Sequence, residues 1–272
     1  MPQIEAGPWT SRTQRRASWL TSTRQMRTLK ALPRTILTLL SGLVATLICA
    51  PLAWIVGHRD PSSRTVDKIV RSWAHVWLRA GGVRMIVTGA DRVDTSVSHV
   101  VVANHLSNFD IMVCFAAIPL PIRYLAKKEL FKIPILAPAM RAIGIVEVDR
   151  QARSAALASI NEQSARVIER GHSLIIYPEG TRSRSSDIAP FKKGAFTMAV
   201  TAGMPVLPVT IHGAWEAWKP ESLMVYGGTV HVIFDEAIPT AGLERSDVDG
   251  LRDRAFALID GNYTRLRTEV QS

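Results

Sequence analysis

Two cysteines are all that 272 residues contain. Cys49 lies in an apolar run and Cys114 sits amid Ile111, Met112, Val113 and Phe115. Neither a disulfide framework nor a Cys/His metal set is available, so no metal is expected and a reducing compartment fits. A lone thiol in such apolar company reads as a small core residue. Internal repeats and low-complexity tracts are also missing, and only the stretch Ser183-Arg184-Ser185-Ser186 is loop-like. Acid is scarce at the start of the chain. The first 34 residues carry Arg12, Arg15, Arg16, Arg24, Arg27, Lys30 and Arg34 against Glu5 alone, six of the ten net positive charges. From Thr35 to Gly57 charge of either sign is absent for 23 residues. That is enough for a hydrocarbon core, which takes roughly 20 helical residues. A cleaved signal peptide is the rival reading, against which stand the long basic lead, an apolar run beyond the usual length and the lack of a clear small-residue cleavage site after it.

A net charge of +10 and a pI near 10.1 call for a polyanionic partner: nucleic acid, an anionic membrane surface or a phosphorylated substrate. Most of the excess precedes the apolar run, and no basic stripe interleaved with aromatics follows it, so no nucleic-acid partner is expected. Pro51 predicts a bend or end of the first helix, since it removes a backbone donor, and Pro61 predicts a break. Between Arg64 and Arg79, Val66, Ile69, Val70, Trp73 and Trp77 recur at helical spacing. The pattern fits a helix lying among headgroups and equally a helix packed on a domain.

After Gly81-Gly82 the pattern alternates. Strands are predicted at Val83–Val87, Val97–Ala103, Ile122–Leu125, Ile143–Val148, Leu174–Tyr177, Val206–Ile211 and Val230–Phe234. Helices are predicted near Asn108–Ala117, Ala152–Arg170, Phe191–Ala202 and Val248–Arg267. The expected fold class is α/β, a mostly parallel sheet flanked by helices and preceded by an N-terminal helical membrane-binding element.

Two polar segments follow apolar strands, where open α/β sheets carry their ligands. In Asn104-His105-Leu106-Ser107-Asn108-Phe109-Asp110, Asn108 or Ser107 is positioned to cap the next helix, with Asp110 in its first turn facing back to the loop. A histidine held by a carboxylate can take a proton from a hydroxyl. No serine elbow accompanies it, which favours direct attack by a substrate hydroxyl on an activated acyl group over a covalent acyl-enzyme. Alone, the His–Asp spacing fits a loop histidine bonded to a capping aspartate equally well. The second segment, Tyr177-Pro178-Glu179-Gly180-Thr181-Arg182-Ser183, offers a guanidinium fork suited to phosphate, a hydroxyl and a flexible backbone. Glu179 is positioned to orient either Arg182 or the histidine.

Together these segments resemble the 1-acyl-sn-glycerol-3-phosphate acyltransferases of the glycerolipid acyltransferase superfamily. Four blocks match in order over roughly His105 to Val209. They are Asn104-His105 with Asp110; Lys127-Lys128-Glu129-Leu130 with Gly144 to Asp149-Arg150; Pro178-Glu179-Gly180-Thr181-Arg182-Ser183; and Val206-Leu207-Pro208-Val209. Glu147 stands where the family carries an aromatic or apolar residue, and Tyr177 replaces the more frequent Phe.

The resemblance implies that His105 is the general base and Asp110 its orienting acid. It also implies that Glu179, Gly180, Thr181 and Arg182 bind the acceptor's phosphate, with a contribution from Arg150. Phe191-Lys192-Lys193-Gly194-Ala195 also looks like the family and opens a helix favourable to anions. The implied reaction moves an acyl chain from acyl-CoA or acyl-carrier protein to 1-acyl-sn-glycerol 3-phosphate, with membrane lipids as surroundings and no cofactor. Alternative acceptors are a lyso-ornithine lipid, glycerol 3-phosphate or a glycolipid. A thioesterase and a membrane-anchored basic binding protein are rivals from other classes. The expected organisation is a basic segment at residues 1–34, a bent membrane-associated helical element at 35–80 and a catalytic domain at 81–272. The expected location is the cytoplasmic face of a membrane, since the thioester carriers are cytoplasmic.

Overall fold

The computed structural model describes residues 9–148 and 154–271, with side chains for 28–148 and 162–270. Helix α1 (Trp9–Arg59) is followed by α2 (Arg64–Ala80), and the two pack as an antiparallel pair. The helix does not end at Pro51, nor at Pro33; both lie inside it. Pro51 falls on the exposed face of α1, where only water or lipid meets the carbonyl left without a donor. The reversal comes ten residues later, at Pro61. There Asp60 Oδ1 accepts from Ser62 N at 2.9 Å, and Ser63 Oγ caps α2 by accepting from Thr65 N at 3.3 Å.

The two faces of α1 differ in kind. Ala31, Thr35, Thr38, Gly42, Ala45, Ala50, Ala53 and Gly57 form a buried stripe of small residues. A Cβ on Gly42 would come within 2.2 Å of the Trp77 ring, and one on Gly57 within 3.0 Å of the Ala142 carbonyl oxygen. Close approach of helices at small residues is the usual solution where lipid lies on the other side. On the outer face eleven large apolar residues between Leu32 and Ile55, Leu40, Ile48 and Trp54 among them, are 44–59% exposed. The stretch Thr28–Arg59 is long and apolar enough to cross a membrane. Of the two placements open for the second helix, the structure adopts packing on the domain. Val66, Ala74 and Leu78 are buried, Trp73 and Trp77 pack against the core, and Trp73 Nε1 donates to Thr46 Oγ1 at 2.9 Å.

The remainder alternates as the sequence pattern predicts, with the short helices α4 and α7 as additions to it: β1 (Val83–Thr88), β2 (Val100–Ala103), α3 (Asp110–Ala117), β3 (Ile122–Lys127), α4 (Leu136–Ala142), β4 (Val146–Val148), α5 (Ser154–Glu169), β5 (Ser173–Ile176), α6 (Gly194–Ala202), β6 (Val206–His212), α7 (Ala214–Ala217), β7 (Gly228–Phe234) and α8 (Val248–Gln271). The sheet order is β1-β7-β6-β2-β5-β3-β4. Five strands, β6 to β4, run parallel, while β7 pairs antiparallel with β6 and parallel with β1. All four residues of central β2 are fully buried. Val101 and Ala103 face the core under α2, α3 and the α1 stripe, and Val100 and Val102 face α6 and α8. A strand covered on both faces is apolar throughout. The carboxyl ends of β2 and β5, which are neighbours, therefore deliver their two following loops side by side.

Candidate active site

The loop after β2 is held from below. Asn104, fully buried, donates Nδ2 to Ile211 O and accepts from Ile211 N through Oδ1, both at 2.8 Å, which fastens the end of β2 to β6. Ser107 Oγ donates to Trp218 O at 2.7 Å and accepts from Phe109 N at 3.1 Å. Neither Ser107 nor Asn108 takes the N-cap of α3; Phe109 does, without a side-chain bond. Asp110, the first helical residue, turns back to the loop instead: its Oδ2 accepts from Leu106 N and Ser107 N, each at 2.7 Å.

That same oxygen lies 2.9 Å from His105 Nδ1. A carboxylate oxygen already accepting two amides is an acceptor toward the ring as well, so Nδ1 carries the proton and donates. The lone pair is then left on Nε2, which has no partner among the described residues. Asp110 is fully buried, while the His105 side chain keeps 14% of its surface open. Tyr177 stacks on the imidazole with centroids 3.9 Å apart and planes 10° from parallel. The sequence signal for Tyr177 was an aromatic residue at a strand end directly before Pro178-Glu179, and its contact with the ring was not anticipated.

The loop after β5 is stitched to the first. Glu179 is 3% exposed, and its Oε1 accepts from the main-chain N of His105 at 2.6 Å while Oε2 accepts from Ala189 N at 3.0 Å. Ser183 N donates to His105 O at 3.1 Å. Of the two orientations open to Glu179, the histidine is the one adopted, through its backbone. Burial lifts the Glu179 carboxyl from 4.5 to about 7 against the pull of the two amides. Gly180 adopts φ +79°, and a Cβ there would stand 2.7 Å from Lys192 Nζ, so glycine admits that ammonium close to the backbone. Thr181 and Arg182 are exposed at the rim, and an Arg182 Nη1 hydrogen donates to Asn108 Oδ1. Arg150 lies outside the described residues.

Behind Tyr177 the interior opens. A cavity of about 210 Å³ is bounded by α1 (Thr46, Cys49, Ala50, Ala53), α2 (Ile69, Val70, Trp73), Phe115, Tyr124 and Ile143, and its surface is apolar throughout. Tyr124 links cavity and site, with its hydroxyl 3.5 Å from that of Tyr177. Cys114 lies beneath Tyr177, where burial pushes its thiol up to about 12, so it stays protonated.

The Acyltransferase family profile matches residues 84–212. The human protein 1-acyl-sn-glycerol-3-phosphate acyltransferase beta is 32% identical over 225 residues, covering 83% of this chain and 76% of that protein. A 1-acyl-sn-glycerol-3-phosphate acyltransferase of Pseudomonas aeruginosa is 26% identical over 238 residues, covering 86% and 91%. Among solved structures, the 1-acyl-sn-glycerophosphate acyltransferase PlsC of Thermotoga maritima superposes with a TM-score of 0.77 over 89% of this chain and 98% of that one. At 24% identity this likeness speaks for the fold.

Proposed function

Because the chain belongs to the 1-acyl-sn-glycerol-3-phosphate acyltransferase family, we propose that it transfers an acyl group from an acyl-CoA or acyl-carrier-protein thioester to the free hydroxyl of 1-acyl-sn-glycerol 3-phosphate, yielding phosphatidic acid. The observation that carries this reading is the His105 ring, anchored at Nδ1 by Asp110 and open at Nε2, with an apolar cavity suited to hydrocarbon beyond Tyr177 and Tyr124. As the acceptor oxygen attacks the thioester carbonyl, Nε2 takes its proton. The carbon–sulfur bond then breaks, and the leaving thiolate recovers that proton from the imidazolium. Asp110 stabilises the imidazolium and fixes the tautomer. Arg182, Thr181 and the Gly180 backbone receive the acceptor phosphate, with a contribution from Arg150, and Glu179 keeps the His105 main chain in place. The reaction calls for no cofactor or metal beyond the thioester substrate.

An acyl-transfer assay on the purified protein tests this, with 1-acylglycerol 3-phosphate, lyso-ornithine lipid and glycerol 3-phosphate offered against both thioester carriers. The first acceptor should be strongly preferred; equal hydrolysis with and without any acceptor would make the protein a thioesterase instead. Arg182→Lys keeps the charge but loses the fork, so the Michaelis constant for the acceptor should rise while that for the thioester holds. The reverse pattern would reassign Arg182.

We further infer that residues 35–80 hold the catalytic part, 81–272, on the cytoplasmic face. Its support is that α1 leans on the protein along its small-residue face and shows lipid only the other, which suits a helix lying within one leaflet. Single cysteines at Ser18 and Ser186, in a background without Cys49 and Cys114, should both resist an impermeant thiol reagent in intact cells. Labelling of position 186 from outside would mean that α1 spans the bilayer.

A further inference from the structure

The most exposed large apolar side chain among the described residues is not on α1. It is Leu223, 75% exposed, in the loop between α7 and β7. We propose that this loop, residues 219–226, is a second membrane contact that inserts Leu223 into the hydrocarbon of the leaflet beside α1 and sets the height of the acceptor site above it.

Continuity with α1 identifies the partner. Val225 N donates to Thr35 Oγ1 at 2.9 Å, and the Arg34 guanidinium donates to Tyr226 O, so the loop is fastened to one turn of α1. That turn carries Leu32, Ile36 and Leu37 on the exposed apolar face, 46–56% open. An apolar surface that continues from a membrane-facing helix onto a tethered loop fits lipid, and burying a leucine there is favourable by its full apolar area. The charge pattern agrees. Lys219 Nζ lies over the ring of Trp215 in α7, 5.4 Å from its centroid, which places beside the loop a cation and an aromatic ring of the kind typical of the headgroup level. Glu221 holds φ +60°, a conformation that side-chain-bearing residues avoid, so the tip has a set shape rather than a relaxed one.

The other side of the loop reaches the proposed catalytic centre. Lys219 O accepts from Asn108 Nδ2 at 2.9 Å and Trp218 O accepts from Asn108 N at 3.2 Å, while Asn108 Oδ1 holds Arg182. Glu221 also pairs with Arg184 at 3.3 Å, an exposed pair that adds direction more than strength. A bilayer contact at Leu223 is thereby transmitted to the arginine that the proposed function assigns to the acceptor phosphate; this last link, and only this one, rests on that reading.

Fluorescence on the full chain decides it. In a background without Cys49 and Cys114, a single cysteine at Leu223 or Leu40 is labelled with an environment-sensitive dye, and the protein is reconstituted in phosphatidylcholine–phosphatidylglycerol vesicles with or without a nitroxide on the lipid acyl chains. The expected result is blue-shifted emission and nitroxide quenching at both positions. Quenching at 40 with position 223 still open to aqueous iodide overturns the proposal, and quenching at neither overturns the membrane reading of α1 along with it. In parallel, Leu223→Asp should lower transfer to vesicle-borne lysolipid by about tenfold, the scale of one leucine's partitioning, and leave transfer to a short-chain monomeric acceptor unchanged. An equal loss on both acceptors also overturns the proposal. The quenching result stands whichever lysolipid proves to be the acceptor, so failure of the acceptor assignment and failure of the membrane contact remain distinguishable.

Discussion

Both ends of the sheet bury charge, and they bury it in opposite ways. At the amino end, Arg123 is 2% exposed and has every nitrogen occupied. Nη1 reaches Asp67 Oδ1 at 2.7 Å and Ile122 O at 2.9 Å, Nη2 reaches Pro61 O at 3.3 Å and His172 Nε2 at 3.0 Å, and Nε donates to Ile143 O. Burial, reinforced by Arg123, lowers His172 to about 4, which keeps it neutral and able to accept from the guanidinium. At the carboxyl end Asp110 and Glu179 are just as sealed, but the histidine between them retains one unspent nitrogen beside an opening. Buried ionisable groups are thus common to a joint and to a candidate catalytic centre. What separates them is whether the network closes on itself.

If the contrast holds, removing a group at each end should fail differently. His105→Ala should cut turnover about 10²-fold to 10⁴-fold with thermal unfolding in detergent unchanged, the signature of a lost base; loss of folding in step with activity would erase the distinction. Arg123→Met should do the converse, lowering stability by about 3 kcal/mol while folded enzyme in the cold keeps its turnover. That is the low end for breaking a buried pair, because Asp67 retains 24% exposure.

Glu179→Gln asks whether the carboxyl end carries a cost of its own. The folded protein retains the Glu179 proton where the unfolded chain has released it. The stabilisation is therefore complete below about 4.5 and is lost as pH rises through about 7. The shift corresponds to at most about 3 kcal/mol. Unfolding midpoints measured from pH 4 to 8 should fall with pH in the wild type and fall less in Glu179→Gln. The smallest effect belongs to Asn108→Ala, which frees Arg182 without touching His105. The Michaelis constant for lysolipid should rise about tenfold, the worth of roughly one hydrogen bond to a charged group, with maximal turnover retained.

The carboxyl end was legible in the sequence and the amino end was not. His105, Asp110 and Glu179 announce themselves through short spacing after apolar strands, and the structure brings all three together. Arg123 meets Asp67 and His172 across 56 and 49 residues of chain, and no periodicity reports a contact of that range. The strands and their order along the chain could be read from apolar runs, whereas the antiparallel entry of β7 between β1 and β6 could not, because run composition carries no direction. Asn108 was misassigned as a cap for a related reason. Local rules favour capping for a residue just before a helix, and here the side chain is claimed by Lys219 and Arg182 from distant loops.

The small-residue stripe of α1 sets a timetable for biosynthesis. Gly42 rests on Trp77 and Gly57 on the Ala142 carbonyl, so the surface that receives these two glycines is made only 85 residues after Gly57. At roughly 5–20 residues per second, a helix with one long oily side waits roughly 4 to 17 seconds for its partner surface. During that interval the helix is a sticky nascent peptide rather than an anchor. A cell that delivers the ribosome to the membrane early spares the chain its most aggregation-prone moment.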